Sequence, residues 1–239
     1  MLRRLWGQME RIKPETAFVV VAKAPVAGKV KTRLCPPLTF QQAAALYQGF
    51  LLDTIEIALQ VPASVVKVVC PAQADATFLA SFLPLQVGYI VQTETGLSNA
   101  LTTAFEQCLE AGYQKVFCIS SDNPTLPLAY LVEALSKMAE ADLVLGPSED
   151  GGYYLIGAKA GHPALFTDMI WSTDTVLTET LERACQVRLR TALLPIWYDL
   201  DTGKELARFI KELAQSAAGA RHTRAILREV ISGQWSVVN

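Results

Sequence analysis

Short, uninterrupted apolar runs alternate along this chain with longer segments of helical period, and that alternation dictates most of what it can fold into. The runs are Thr16 to Ala22, Val65 to Cys70, Lys115 to Ile119 and Asp142 to Gly146. They are rich in Val and Ile and lack polar alternation, so the sheet they form must be covered on both faces. Val87 to Val91, Gly152 to Ile156 and Leu189 to Leu194 are further strand candidates. Between the runs, Leu128, Leu131, Val132 and Leu135 recur at helical spacing, as do Leu206, Phe209, Ile210 and Leu213. Leu97, Ala100, Leu101, Ala104, Phe105 and Cys108 make a third stripe. Thr39 with Gln42 is a capping-box start for a helix reaching about Gln60. Thr173 is placed to cap a helix carrying Val176, Leu177, Leu181 and Ala184. This order predicts an α/β fold, a three-layer α/β/α sandwich with a mainly parallel, mixed sheet.

The chain has 239 residues, 51% of them hydrophobic, enough for one large core. No linker or repeat divides it, so a single domain over 1–239 is expected, with a core of about 16–214 and a helical extension at 221–239. Ile226, Leu227, Val230 and Ile231 give that extension an apolar side. It can pack on the core or on another subunit, a homodimer being one arrangement the pattern allows. The net charge of -2 offers no nucleic-acid or membrane surface. Arg3, Arg4, Arg11 and Lys13 make the N-terminus basic, without the apolar core of a signal peptide. No apolar run approaches the ~20 residues of a membrane span. A cytoplasmic protein is the expectation. The five cysteines form no C-x-x-C pair and read as reduced structural thiols. Two histidines without ligand spacing give no basis for a zinc site or a His-based triad.

In such sheets ligands bind beyond the carboxyl ends of the strands. Four segments with unusual chemistry stand there. The first runs from Ala22 to Leu34 and carries Lys23, Lys29, Lys31 and Arg33 within eleven residues, around Pro25 and Gly28. It can wrap a polyphosphate, Lys as point charges and Arg as a bidentate clamp; the plainer reading is a solvated basic loop. In the second, Ser120 to Pro124, Asp122 ends an apolar strand. It can hold a divalent metal or simply cap a turn.

The third segment is Pro147 to Gly157. Glu149 and Asp150 beside Gly151 and Gly152 are candidates for metal coordination or for a sugar or acceptor hydroxyl, unless this is an ordinary hairpin. Tyr153 and Tyr154 alternate across a strand, so one of them faces the site. The fourth, Tyr198 to Thr202, sets Asp199 and Asp201 two residues apart, on one face if extended. They suit a metal shared with Asp122, while Asp201 or Thr202 can also cap the helix that follows. Trp171 can stack on a base or sugar, or pack.

Taken together, A-K-A-P-V-A-G-K-V-K-T-R-L, S-D-N-P, G-P-S-E-D-G-G-Y-Y-L-I-G, W-S-T and D-L-D-T resemble the rSAM/selenodomain-associated transferases, a bacterial family commonly labelled glycosyltransferases. The likeness runs from about Ala17 to about Leu213. That family sits with the nucleotide-diphospho-sugar transferases, so the resemblance implies a GT-A-like fold. The chain is also similar to phospholactate guanylyltransferases, whose G-L-N-x-A segment has its counterpart in Gly96-Leu97-Ser98-Asn99-Ala100. The D-x-D-T ending is shared with many nucleotidyltransferases.

What the resemblance implies can be placed residue by residue. Asp122 and Asp201, with Asp199 beside the latter, become acids for Mg²⁺ or Mn²⁺. Lys23, Gly28, Lys29, Lys31, Arg33 and Asn99 become the nucleotide and phosphate contacts. Glu149, Asp150, Gly151, Gly152, Tyr153 and Trp171 face the acceptor. Asp122, Lys23, Arg33 and Asp150 form the catalytic set. Two positions depart from the family: Asn123 stands where Cys is usual, and Thr125 where an acid is frequent. The glycine-rich L-x-G-G-x-S-x-R-M loop of many nucleotidyltransferases is missing.

The expected activity is Mg²⁺-dependent transfer from a nucleotide-activated donor to a small-molecule acceptor. Four cations on one loop favour a triphosphate donor, hence a nucleotidyltransferase acting on a small phosphorylated acceptor. A glycosyltransferase using an NDP-sugar is the alternative, and a non-catalytic nucleotide- or partner-binding protein the third reading.

Overall fold

The computed structural model describes residues 14–215 and 219–235. The basic positions Arg3, Arg4, Arg11 and Lys13, and residues 236–239 of the extension, lie outside them. The strands are β1 (Thr16–Val21), β2 (Ser64–Cys70), β3 (Gly88–Val91), β4 (Lys115–Ser120), β5 (Leu143–Pro147), β6 (Tyr153–Ala158) and β7 (Thr191–Leu193). They form one sheet in the order β3-β2-β1-β4-β6-β5-β7. Only β6 runs against its neighbours, which makes the sheet mixed but mainly parallel.

The helices are α1 (Phe40–Leu59), α2 (Gln73–Ala80), α3 (Leu97–Glu110), α4 (Leu128–Lys137), α5 (Val176–Gln186), α6 (Gly203–Gln215) and α7 (Arg221–Trp235). The expected α/β/α layering is present. Phe18 and Val20 of β1 join a core with α1, α2 and α4, while Ala17 and Val19 join the opposite core with α3 and α5. Successive strand residues point to opposite faces, so a β1 that is apolar from Ala17 to Val21 feeds both layers. α2 escapes the periodicity argument because it buries only Ala76 and Leu79. Among the described residues no helix is long and apolar enough to cross a membrane.

Two cap expectations separate here. Thr39 Oγ1 accepts from Gln42 N at 3.2 Å and Gln42 Oε1 from Thr39 N at 2.9 Å, the reciprocal box that starts α1. Thr173 does not cap α5. Its hydroxyl donates to Ile170 O at 3.0 Å, closing the preceding turn, and α5 begins three residues later.

A third core cluster positions the first loop. Val30 and Leu34 sink against Leu46 and Phe50 of α1, Phe209 of α6 and Leu227 of α7. The C-terminal extension therefore packs on its own chain. Gly49 lets α7 approach, since a Cβ there would fall 2.9 Å from Thr223 Cα. Asp53, 2% exposed, accepts from His222 N and Thr223 N at 2.9 Å each and from Thr223 Oγ1 at 2.6 Å, capping α7 across the chain.

Close packing at the sheet centre gives a stability prediction. A Cβ on Gly157 would lie 2.2 Å from Phe117 Cδ1, and Phe117 stacks on Phe18 at 4.9 Å. With no room for the ring to retreat, Gly157→Ala should cost about 1–3 kcal/mol of stability. Urea unfolding of the two proteins checks this, and an unchanged midpoint would contradict it.

Candidate active site

β1 lies between β2 and β4, so the chain turns one way from β1 and the other way at β4. Ligand clefts of open α/β sheets form at such a switch point. A cleft of about 380 Å³ opens there, lined by Lys23, Lys29, Lys31 and Arg33 together with Asp122 and Asp201. Tyr153, Leu97 and Ile156 line its apolar end.

The basic loop is held from below. Ala24 N donates to Asp75 Oδ1 at 2.9 Å, and the buried Leu34 pins the far end. Gly28, with φ of 76°, has open space where a Cβ would stand, so it forms the crest of the turn. Lys23, Lys29 and Arg33 are exposed toward the cleft. Lys31 is not. Its side chain is 6% exposed, and its Nζ lies 2.7 Å from Asp122 Oδ1 and 2.6 Å from Asp201 Oδ1. Burial alone would lower the Lys31 pKa, yet the two carboxylates hold it well above the usual lysine value.

The acid wall is assembled from two distant segments. Asp122 N donates to Ser120 Oγ at 3.1 Å, and Leu200 N donates to Asp122 O at 3.0 Å, locking the end of β4 to the segment before α6. Buried Asn123 adds bonds from Nδ2 to Tyr198 O at 2.8 Å and to Asp199 Oδ1 at 2.7 Å. Asp122 does not cap α4, whose start at Pro127 has no side-chain cap. Thr202 and Glu205 cap the start of α6 instead of Asp201: Lys204 N donates to Thr202 Oγ1 at 3.2 Å, and Thr202 N to Glu205 Oε2 at 2.8 Å. Asp122 and Asp201 thus stay available to the cleft.

Asp199 faces elsewhere than Asp201. Burial, and then the nearby Asp122 charge, raise its pKa to about 7. A carboxyl raised in the folded state adds stability below its unfolded pKa, and loses it as pH rises through the folded value. The protein should therefore lose stability between about pH 4 and about pH 7 on this account, and Asp199→Asn should flatten that slope. Melting curves at several pH values in chelator test it; parallel pH profiles for both proteins would contradict it.

Glu149, Asp150, Gly151, Gly152, Asn99 and Trp171 are not among the residues that line the cleft. Glu149 accepts from Arg208 Nη1 at 2.9 and 3.0 Å, and Arg208 lies 3.9 Å over the Tyr198 ring. Asp150 Oδ1 accepts from Gly152 N at 3.0 Å. Gly151 has φ of 90°, and a Cβ there would fall 2.2 Å from Asp174 O, so this glycine allows backbone to meet backbone. Its carbonyl accepts from Leu177 N at 2.9 Å and anchors α5. Trp171 donates to Ser98 Oγ at 2.8 Å and sets its ring edge against Tyr153 at 6.2 Å. Asn99 Oδ1 accepts from Glu94 N at 3.1 Å and Thr103 Oγ1 at 3.2 Å, shaping the loop before α3. Both tyrosines of β6 reach the cleft, although Tyr154 is 1% exposed and donates to Pro195 O at 3.0 Å.

Sequence reasoning missed Tyr47 and Ser121. Tyr47 reads as one more core residue of α1. Its hydroxyl accepts from Lys23 N at 3.2 Å and meets Ser121 Oγ at 3.0 Å, joining the ends of β1 and β4 beneath the cleft. Burial, reinforced by Asp122, pushes its pKa up to about 12, so it stays a neutral phenol.

Asp53, Glu56 and His222 also converge, with ligand atoms within 4.8 Å of one another. Asp53 is committed to capping α7, and Glu56 pairs with Arg221 at 2.7 Å. This group anchors a helix.

A mixed sheet with its cleft at the β1/β4 switch point defines the nucleotide-diphospho-sugar transferase, GT-A-like class of fold. Within it, the chain belongs to the DUF2064 family, described as an uncharacterized protein conserved in bacteria, whose model matches residues 54–173. A solved protein of Desulfovibrio desulfuricans G20, provisionally described as a nucleotide-diphospho-sugar transferase, is 30% identical. It superposes with a TM-score of 0.81 over 90% of this chain and 94% of its own. CMP:2-keto-3-deoxy-manno-octonic acid synthetase complexed with CTP shares the fold at 12% identity, TM-score 0.54, over 84% of this chain and 98% of its own. So does Rv0371c of Mycobacterium tuberculosis H37Rv in complex with manganese, at 16% identity, TM-score 0.50, over 82% and 97%. No curated protein matches the chain in sequence.

Proposed function

We propose that this protein is a divalent-metal-dependent transferase that uses a nucleotide-activated donor, and specifically a nucleotidyltransferase. The carrying observation is the cleft itself: three exposed cations, Lys23, Lys29 and Arg33, face the acid pair Asp122 and Asp201 across one switch point. The donor set suits Mg²⁺ or Mn²⁺. Both carboxylates are about one-third exposed, at 32% and 34%, and present hard oxygen ligands toward the cleft. Asp122 and Asp201 would hold the ion, which when bound neutralises donor phosphate charge.

The chain's own residues then bind and orient. Lys23, Lys29 and Arg33 take the phosphate oxygens, Arg33 in a bidentate contact. The acceptor enters beside Tyr153, whose ring Trp171 supports. An acceptor phosphate oxygen bonds to the α-phosphorus as the bond to the bridging oxygen breaks, and pyrophosphate leaves toward the basic loop. Positioning and electrostatics carry such a transfer, with no covalent nucleophile required. The relative solved with CTP supports a nucleotide in this fold, and the manganese complex supports a divalent ion. The motif likeness to rSAM/selenodomain-associated transferases and phospholactate guanylyltransferases agrees with this class.

Glycosyl transfer from an NDP-sugar is the second reading, favoured by the description of the Desulfovibrio relative. Incubation with the four NTPs, Mg²⁺ and a panel of small phosphorylated acceptors separates the two. Pyrophosphate release supports nucleotidyl transfer. Release of NDP from NDP-sugars, without pyrophosphate from any NTP, would overturn it in favour of the second reading.

A further inference from the structure

Lys31 does not do what its position in a cationic loop leads one to expect. It sits between the two acids, its Nζ also 5.6 Å from the Phe50 ring centroid. We propose that Lys31 is a displaceable internal counter-ion: it closes the Asp122–Asp201 pair until donor and metal bind and then moves to the donor phosphates, so that metal and polyphosphate bind cooperatively. This rests on the metal-dependent reading above and adds a mechanism of coupling to it.

The argument is one of exclusion. Lys31 holds Oδ1 of each carboxylate, so a divalent cation that takes those oxygens displaces the ammonium, and one held on the other oxygens stands close beside it and is repelled. Metal entering alone therefore either breaks two short ion pairs around a nearly buried ammonium or binds against its charge. A polyphosphate removes that penalty. It is drawn to Lys23 and Lys29, neither of which has a carboxylate partner among the described residues, and to Arg33, which stands 3.7 Å from Asp201. Lys31 is on the same loop, two residues from both Lys29 and Arg33, and its four-carbon stem can swing to the same oxygens. With φ of 48° and ψ of 35°, Lys31 occupies the left-handed region that a non-glycine residue keeps only while its surroundings hold it there. Since each ligand removes the obstacle to the other, the coupling must be reciprocal.

The test is binding, read without turnover. Mn²⁺ affinity is measured by the electron-spin signal of free Mn²⁺, for wild type and Lys31→Met, with and without inorganic tripolyphosphate. Tripolyphosphate affinity is measured by calorimetry at matched free Mn²⁺. Lys31→Met keeps the stem and removes the charge. Alone, it should bind Mn²⁺ more tightly than wild type, by roughly 5- to 150-fold. Wild type should recover affinity when tripolyphosphate is added, and the variant should show less of that synergy. Equal Mn²⁺ affinity of the two proteins overturns the counter-ion role while leaving the metal reading intact. Mn²⁺ binding to neither protein under any condition overturns both. Tripolyphosphate binding that needs Lys31 but ignores Mn²⁺ also overturns the exchange, since Lys31 would then replace the metal permanently. If the variant does not fold, wild type alone decides: Mn²⁺ and tripolyphosphate that bind independently of each other overturn the proposal.

Discussion

Asp122→Asn should lower turnover by about 10²–10³-fold, the scale seen when one preorganised electrostatic contact to a developing charge is removed. It should also abolish the metal-dependent part of nucleotide binding. The substitution keeps shape and removes one negative charge from the pair that Lys31 bridges. The backbone bonds that lock this turn, from Asp122 N to Ser120 Oγ and from Leu200 N to Asp122 O, do not depend on the side-chain charge. The variant should therefore fold. Steady-state kinetics with a melting curve on the same sample check this. Full activity in a folded variant would remove Asp122 from the chemistry.

Neutralising the basic wall is the second large effect. Lys23→Ala, Lys29→Ala and Arg33→Ala together should weaken triphosphate binding by about 10³-fold or more, because charged hydrogen bonds contribute about 1.5–3 kcal/mol each and about 1.4 kcal/mol is tenfold. The melting temperature should move little. All three side chains are exposed, and Arg33, at 69% exposure, has only a long contact to Asp201. Calorimetry with an NTP, at two salt concentrations, checks it. Loss of affinity that persists at high salt without recovery, or no loss at all, would count against phosphate recognition by this wall.

Much of the fold was legible because parallel strands buried on both faces cannot hide: β1, β2, β4 and β5 are nearly pure apolar runs. α2 was invisible because a short helix with two buried residues has no stripe to detect. The acids of the cleft were legible as strand-end carboxylates. Their partners were not. Period-two reasoning put Asp199 and Asp201 on one face, but the segment is no regular strand, and they bond to Asn123 and Lys31 respectively. Spacing along the basic loop likewise cannot tell a lysine that faces a ligand from one that faces the protein. That distinction comes from a left-handed turn at Lys31, a position where sequence offers no glycine to announce it. The Gly151-Gly152 pair reads in sequence as facing an acceptor, whereas the backbone that Gly151 meets is Asp174, in the segment before α5.

The most direct measurement is the thermal stabilisation of the protein by NTPs and NDP-sugars, each with and without Mg²⁺. A ligand at about 100 times its Kd adds roughly 2.7 kcal/mol, an unmistakable shift. The account predicts stabilisation by an NTP that requires Mg²⁺ and is lost in Asp122→Asn. The absence of any Mg²⁺-dependent shift, with every nucleotide and nucleotide-sugar tried, would contradict it.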